Sequence, residues 1–210
     1  MQPQPDHSPA ADRNKQAILD VLVQVLPERG NALEIASGTG QHVAWFASGL
    51  SGWNWQPSDA QADGFESINA WVAAQGVGNV RAPVLLDVMV ANWLPVDHNQ
   101  PVLFDLIYCA NMLHISPWAT CAALMRGSAQ HLAPGGQLIT YGPYLEDAVP
   151  TSPGNLTFDE SLRERNPAWG IRRREDVESQ AAAAGLKLLS RYAMPANNLL
   201  LVWTQLGRPL

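Results

Sequence analysis

The sequence predicts an α/β fold in which helices cover both faces of a seven-stranded, mostly parallel sheet. Three observations predict it. Short apolar runs alternate along the chain with segments of helical period. A glycine-rich turn, Ser37-Gly38-Thr39-Gly40, separates the first of those runs from the helix after it. The last two runs are joined only by residues 193–198, a connection short enough to make them antiparallel.

The elements follow in order. Residues 13–26 place Ile18, Leu19, Leu22, Val25 and Leu26 on one helical face, and Pro27 and Gly30 end that helix. Residues 32–36 form a buried parallel strand, the glycine turn follows, and a helix runs from Gln41 to about Gly49. Residues 53–56 form a second strand that stops at Pro57-Ser58-Asp59, and a helix passes through Phe65, Ile68, Trp71 and Val72. Strands are expected over 80–88 and 103–109, with a helix over 118–132 that closes at Ala133-Pro134-Gly135-Gly136. The fifth strand spans 137–141. Residues 142–172 are rich in Pro, Gly and Asn, with one short helical piece near 157–165. A helix over about 175–184 stops at Gly185, and strands over 186–192 and 199–204 complete the sheet.

Composition narrows the function. Thirteen Lys and Arg against nineteen Asp and Glu give a net charge of −6, the wrong sign for a general nucleic-acid binder. No apolar run is long enough to cross a bilayer, so no membrane partner is expected. The start, MQPQPDHSPAADRNK, lacks the charged-then-apolar order of a secretory signal. Residues 1–12 are expected to form a loose tail, and 13–210 a single domain. Cys109 and Cys121 lie in apolar surroundings without metal or redox spacing, which suits a reduced, cytoplasmic protein.

The glycine turn is the most informative segment. Glycines after a first strand let the backbone approach a ligand, and the next helix offers free N–H groups. Asp59, at the end of the second strand, lies 21 residues after Gly38, a spacing that suits a carboxylate accepting from ribose hydroxyls. A nucleoside-containing cofactor is therefore expected. Val43 stands where a dinucleotide fingerprint needs its last glycine, and no P-loop lysine follows. Glu34 suits a ligand carrying an ammonium and a sulfonium better than a pyrophosphate. These two residues disfavour a nicotinamide oxidoreductase.

The run from Glu34 through Ser37, Gly38, Thr39 and Gly40 resembles the first motif of class I S-adenosylmethionine-dependent methyltransferases. Asp87 closing the third strand and Pro134-Gly135-Gly136 before the fifth agree with that superfamily. The resemblance narrows further with Arg13-Asn14-Lys15, LEIASGTGQH (33–42), WQPSD (55–59), NMLHISPW (111–118), YGPY (141–144), the FD-x-SLR run (158–163), WGIR (169–172) and MPANNLLLVW (194–203). Together these are similar to the domain of unknown function 938 family, the methyltransferase-like 26 group. The resemblance implies a Rossmann-like sheet of order 3-2-1-4-5-7-6 and S-adenosyl-L-methionine as cofactor. It implies cofactor contacts from Glu34, Ser37, Gly38, Thr39, Gly40, Asp59, Asp87 and Asn111.

A substrate would lie outside the carboxyl ends of the strands. Asn14, Tyr144, Trp169, Arg172 and Asn198 are the candidate contacts, and residues 142–172 the candidate lid. His114 is the candidate catalytic base, since imidazole titrates near neutrality. A backbone-bonded structural histidine is the alternative. His42 contacts the cofactor or caps the first helix of the glycine motif, and Arg172 clamps an anion or belongs to a solvated basic run. The [DN]-P-P-[YF] string of amino-directed enzymes is missing, and no metal-ligating cluster is present. A small-molecule acceptor is expected, with O, N and S all open. A non-catalytic binding protein on the same fold is the alternative.

Overall fold

The structure, a computed structural model, describes residues 4–94 and 102–207; residues 1–3 of the expected tail lie outside them. The chain divides into two compact units. One comprises the residues up to Asp87 with Phe104–Tyr108, the other Val88–Leu103 with Cys109 onward.

In the first unit, helix α1 spans Pro9–Val25. It starts four residues before the expected Arg13, so residues 9–12 are helix rather than tail. The reason is local: the Ser8 hydroxyl accepts from the Ala11 amide, and Pro9 occupies the first helical turn. Ile18 and Leu22 are fully buried on its inner face. Strand β1 (Gly30–Ile35) leads through the glycine turn into α2 (Gln41–Gly49). It pairs in parallel with β2 (Trp53–Asp59), placing Ala32 opposite Trp55 and Glu34 opposite Pro57. Helix α3 (Phe65–Gln75) closes on Gly76 in the left-handed region.

Strand β3 is only Val84–Leu85, far shorter than the expected 80–88. Val80 still bridges Trp55, and the Arg81 amide donates to the Trp55 carbonyl. Then Pro83 offers no N–H to a ladder, and the Ala82 carbonyl is taken by the Gln56 side chain. Apolar pattern alone did not reveal that interruption.

Strand β4 spans Phe104–Ala110, its first five residues belonging to the first unit. The second unit continues with α4 (Ala119–His131), β5 (Leu132–Leu145), α5 (Pro153–Arg165), β6 (Arg172–Arg173), α6 (Arg174–Ala183), β7 (Leu186–Met194) and β8 (Asn198–Gln205). The strand order is β3-β2-β1-β4-β5-β8-β7, with β6 pairing β5 in parallel. Because β6 is an added two-residue strand, this is the expected 3-2-1-4-5-7-6 order. Strand β8 runs antiparallel to both β5 and β7, with Thr140 opposite Leu201 and Tyr192 opposite Leu200. Trp203 is fully buried on β8, and its indole donates to the Thr140 hydroxyl at 3.1 Å. Helix α5 starts at Pro153, capped by Ser152, four residues before the expected 157.

Candidate functional site

The first unit carries the cofactor candidates other than Asn111, most of them at the carboxyl end of β1. Glu34 is buried, and its Oε2 has no hydrogen-bond partner. Burial pushes its carboxyl up to about 8; the Ser37 hydrogen bond opposes this and the nearby Asp59 charge adds to it. After it the backbone turns through Ala36, Gly38 and Gly40, all at positive φ. At Gly38 a side chain would meet nothing within 4 Å, so the turn presents bare backbone to open space. At Gly40 a Cβ would lie 2.5 Å from the Ile68 Cα, so glycine there lets α3 pack against the turn.

The turn is tied to β2. The Ser37 amide donates to the Ser58 carbonyl, and the Ser58 amide donates to the Ser37 hydroxyl. The Asp59 carboxylate accepts the Gly38 N–H at 3.0 Å. Asp59 thus holds the loop itself, a role its spacing did not announce. Asp87 is exposed two residues beyond β3.

The second unit carries His114, the expected cofactor contact Asn111 and, Asn14 apart, the expected substrate contacts. Asn111 follows β4 in the left-handed region (φ 58°), and its amide donates to the Tyr141 carbonyl at 2.8 Å. Asn and Asp tolerate that conformation better than other side chains. His114 sits in the following 3-10 turn and is buried. Burial, then the charges of Arg172 and Arg165, lower its imidazole to about 4, so it is neutral at physiological pH. A Cβ on Gly142 would lie 3.5 Å from its Nδ1 and 3.7 Å from the Asn111 Oδ1, so both polar groups face one bare stretch of β5. From α5, Phe158 meets the His114 ring edge-on at 5.5 Å between centroids.

Segment 142–172 is more ordered than its composition suggested. Asp159 on α5 accepts the Ile171 amide at 2.6 Å and the Arg163 guanidinium at 2.9 Å, and the Gly170 amide donates to the His114 carbonyl. Leu162 is its fully buried anchor. At its start, the Ser152 amide donates to Asn197 Oδ1 and the Asn155 side chain donates to the Asn197 carbonyl.

A family profile described as protein of unknown function (DUF938) matches residues 5–205. The chain belongs to that family. The DUF938 chain is also similar in fold to solved methyltransferases. An O-methyltransferase family protein from Burkholderia thailandensis superposes with a TM-score of 0.77 at 17% identity, covering 95% of this chain and 58% of its own. CalO1, a methyltransferase of calicheamicin biosynthesis solved with S-adenosylhomocysteine, gives 0.72 at 13% identity, with 93% and 55% covered. An O-methyltransferase family 2 protein from Planctomyces limnophilus, solved with apigenin, gives 0.73 at 16% identity, with 94% and 60% covered. The DUF938 chain therefore spans little more than half the length of these neighbours.

Within the DUF938 chain, several expected substrate contacts are otherwise engaged. Asn14 is buried in α1, its Oδ1 2.7 Å from His42 Nε2. His42 is also stacked on Phe46, and burial lowers it to about 4; it pairs within the core rather than capping α2. Tyr144 is buried, with its hydroxyl donating to Thr140, and burial raises its phenol. Arg172 is no free anion clamp: its guanidinium donates to the carbonyls of Leu113, Ser116 and Ala168 and lies over the Trp118 ring. Asn198 donates to the Pro195 carbonyl within its own turn. Trp169 is half-buried under Arg165. Phe158 and Asp159 were missed as individual residues, because an α5 contact with the His114 turn leaves no local sequence signal.

Proposed function

We propose that this protein is an S-adenosyl-L-methionine-dependent methyltransferase acting on a small-molecule acceptor. Glu34, Ser37, Gly38, Thr39, Gly40, Asp59 and Asp87 hold the cofactor, which supplies an electrophilic methyl group on a sulfonium. The observation that carries this reading is Glu34. A buried carboxyl with an unpartnered oxygen costs free energy unless a complementary group meets it. Beside it lies a glycine turn whose open face admits a ligand. An ammonium satisfies that carboxyl, whereas a pyrophosphate would be repelled by it.

Asn111, expected as a cofactor contact, faces the same stretch of β5 as His114 and orients the acceptor with it, under a lid built from residues 142–172. A neutral imidazole has a free lone pair for a proton, yet its low basicity suits an acceptor that loses its proton only as the methyl bond forms. Methyl transfer otherwise asks for alignment and exclusion of water, the roles this reading gives to the buried His114 turn and to α5.

Calorimetry with S-adenosylmethionine, S-adenosylhomocysteine and NAD tests the cofactor. Selective binding of the two sulfur ligands is expected; binding of NAD alone, or of none, overturns the assignment. Turnover is tested separately, by S-adenosylhomocysteine formation with fractionated metabolite extracts. Binding without any turnover would favour a cofactor-binding protein on this fold.

A further inference from the structure

Gln41 is the first residue of α2, directly after the glycine turn, and is 97% buried by its 3% exposure. Its amide is half satisfied. Oε1 accepts the Ser8 backbone N–H and also the Thr39 hydroxyl, at 3.3 Å for the latter. Nε2 is buried with no partner. Because the Ser8 N–H can only donate, flipping the amide would set N–H against N–H there, which fixes Oε1 on that side. The orphaned group is therefore a donor, and it has the opposite hydrogen-bonding sense to the orphaned acceptor on Glu34.

An orphaned buried donor and an orphaned buried acceptor, on the two sides of one glycine turn, match the carboxylate and ammonium of a free α-amino acid group. We propose that Gln41 Nε2 donates to the carboxylate of the ligand's amino-acid end, and that residues 6–8 hold Gln41 in the orientation that does so. This rests on the cofactor reading above and assigns that end of the ligand to a residue the sequence motif did not single out.

The segment before α1 is built for that role. The Asp6 amide donates to the Ser67 hydroxyl, which itself donates to the Thr39 carbonyl in the turn. The Asp6 carbonyl accepts from the Trp71 indole at 2.8 Å. Residues expected to form a loose tail are thus bonded to α2, to α3 and, through Ser67, to the glycine turn. Their bond to Gln41 comes from backbone, so it survives any substitution at position 8 except proline.

The test compares S-adenosylhomocysteine with 5′-methylthioadenosine, which keeps the nucleoside and sulfur but has no amino-acid end. Gln41→Ala should weaken S-adenosylhomocysteine by about tenfold or more, as expected for losing a hydrogen bond to a charged group, and leave methylthioadenosine within about twofold. Gln41→Glu, which places a carboxylate there, should weaken the first ligand further. Ser8→Pro removes the N–H and should act like a milder Gln41→Ala, whereas Ser8→Ala keeps it and reports the lost helix cap alone. Thermal melts of each unliganded variant report folding.

If both ligands weaken equally in Gln41→Ala, or neither does, the assignment of Gln41 is overturned while the cofactor reading stands. If the wild-type protein binds neither ligand, the cofactor reading itself is overturned, and this assignment with it.

Discussion

Glu34 shows how one residue links the site to the stability of the protein. Its carboxyl is raised from 4.5 to about 8, so the folded state holds a proton that the unfolded chain releases. Stability contributed by that proton is present below pH 4.5 and is lost as pH rises towards 8, on the order of 3 kcal/mol by pH 7. His42 and His114 act in the opposite direction. Both are lowered from 6.5 to about 4, so the unfolded chain takes up protons that the folded state refuses. Their cost appears as pH falls from 6.5 to 4, on the order of 2 kcal/mol for each at pH 5. Between 4.5 and 6.5 two histidines oppose one carboxyl, and above 6.5 the carboxyl acts alone. The melting temperature of the unliganded protein should therefore peak near pH 6.5, and Glu34→Gln should flatten the alkaline side and steepen the rise between pH 4.5 and 6.5. A melting profile still rising from pH 6.5 to 8 would contradict this. The same proton gives a ligand signature: pairing Glu34 with an ammonium at pH 7 should release close to one proton, seen as a binding enthalpy that changes with the buffer's ionisation heat. The identity of Glu34 and its place before the glycines were legible in the sequence. Its unpartnered oxygen was not, because burial by distant residues leaves no local trace, and the pairing of Asn14 with His42 was hidden for the same reason.

At the scale of elements, helix α5 has little apolar burial of its own and depends on polar ties. Leu162 is its fully buried side chain, while Leu156 and Phe158 stay exposed at 49% and 36%. Its position is fixed by Asp159, which accepts from Ile171 and Arg163, and by Asn197 at the other end. Gly170 is required where these meet: at φ 145° its Cβ would lie 2.9 Å or less from Asp159 Oδ1 and the Arg163 guanidinium. Asp159→Ala should therefore raise amide exchange over residues 153–172 selectively, with a global loss of about 1–2 kcal/mol. Unchanged exchange there would show that Leu162 alone holds the helix. Arg172 belongs to the same scale, because it joins the turn carrying His114 to the loop after α5 through three carbonyls. Arg172→Met should cost about 1–3 kcal/mol, and Arg172→Lys should recover little, since a single ammonium cannot reproduce the guanidinium fork. Strand order was legible because runs of apolar residues and the short final connection restrict it. Segment 142–172 was legible only as punctuation: Ser152 and Pro153 mark a helix start, but the contacts that dock the segment reach back to residues 113–116 and forward to 197.

For the whole molecule, the division into two units gives the proposed function a testable partition. The groups assigned to the cofactor lie in the first unit, together with the Asp59 bond that holds Gly38. His114, the Arg172 ties and α5 lie in the second. Asp59→Ala removes a charged acceptor from the Gly38 N–H and from the expected ribose contact. It should weaken S-adenosylhomocysteine by about 1.5–3 kcal/mol, or roughly ten- to a hundredfold. His114→Ala removes a neutral ring that touches Phe158 and faces Gly142. It should leave cofactor affinity within about twofold, because no charge and no cofactor contact are lost. Its effect belongs to turnover instead, and a base role is distinguished by the acceptor. An acceptor that must lose a proton should slow strongly in His114→Ala and recover as pH rises towards the acceptor's own ionisation, whereas a thiolate acceptor should be indifferent. Equal weakening of S-adenosylhomocysteine by the two substitutions would overturn the partition, since the cofactor would then depend on both units for its affinity. A normal Asp59→Ala affinity would instead displace the cofactor from the β2 end, leaving Glu34 and the open face at Gly38 without the ligand their chemistry requires.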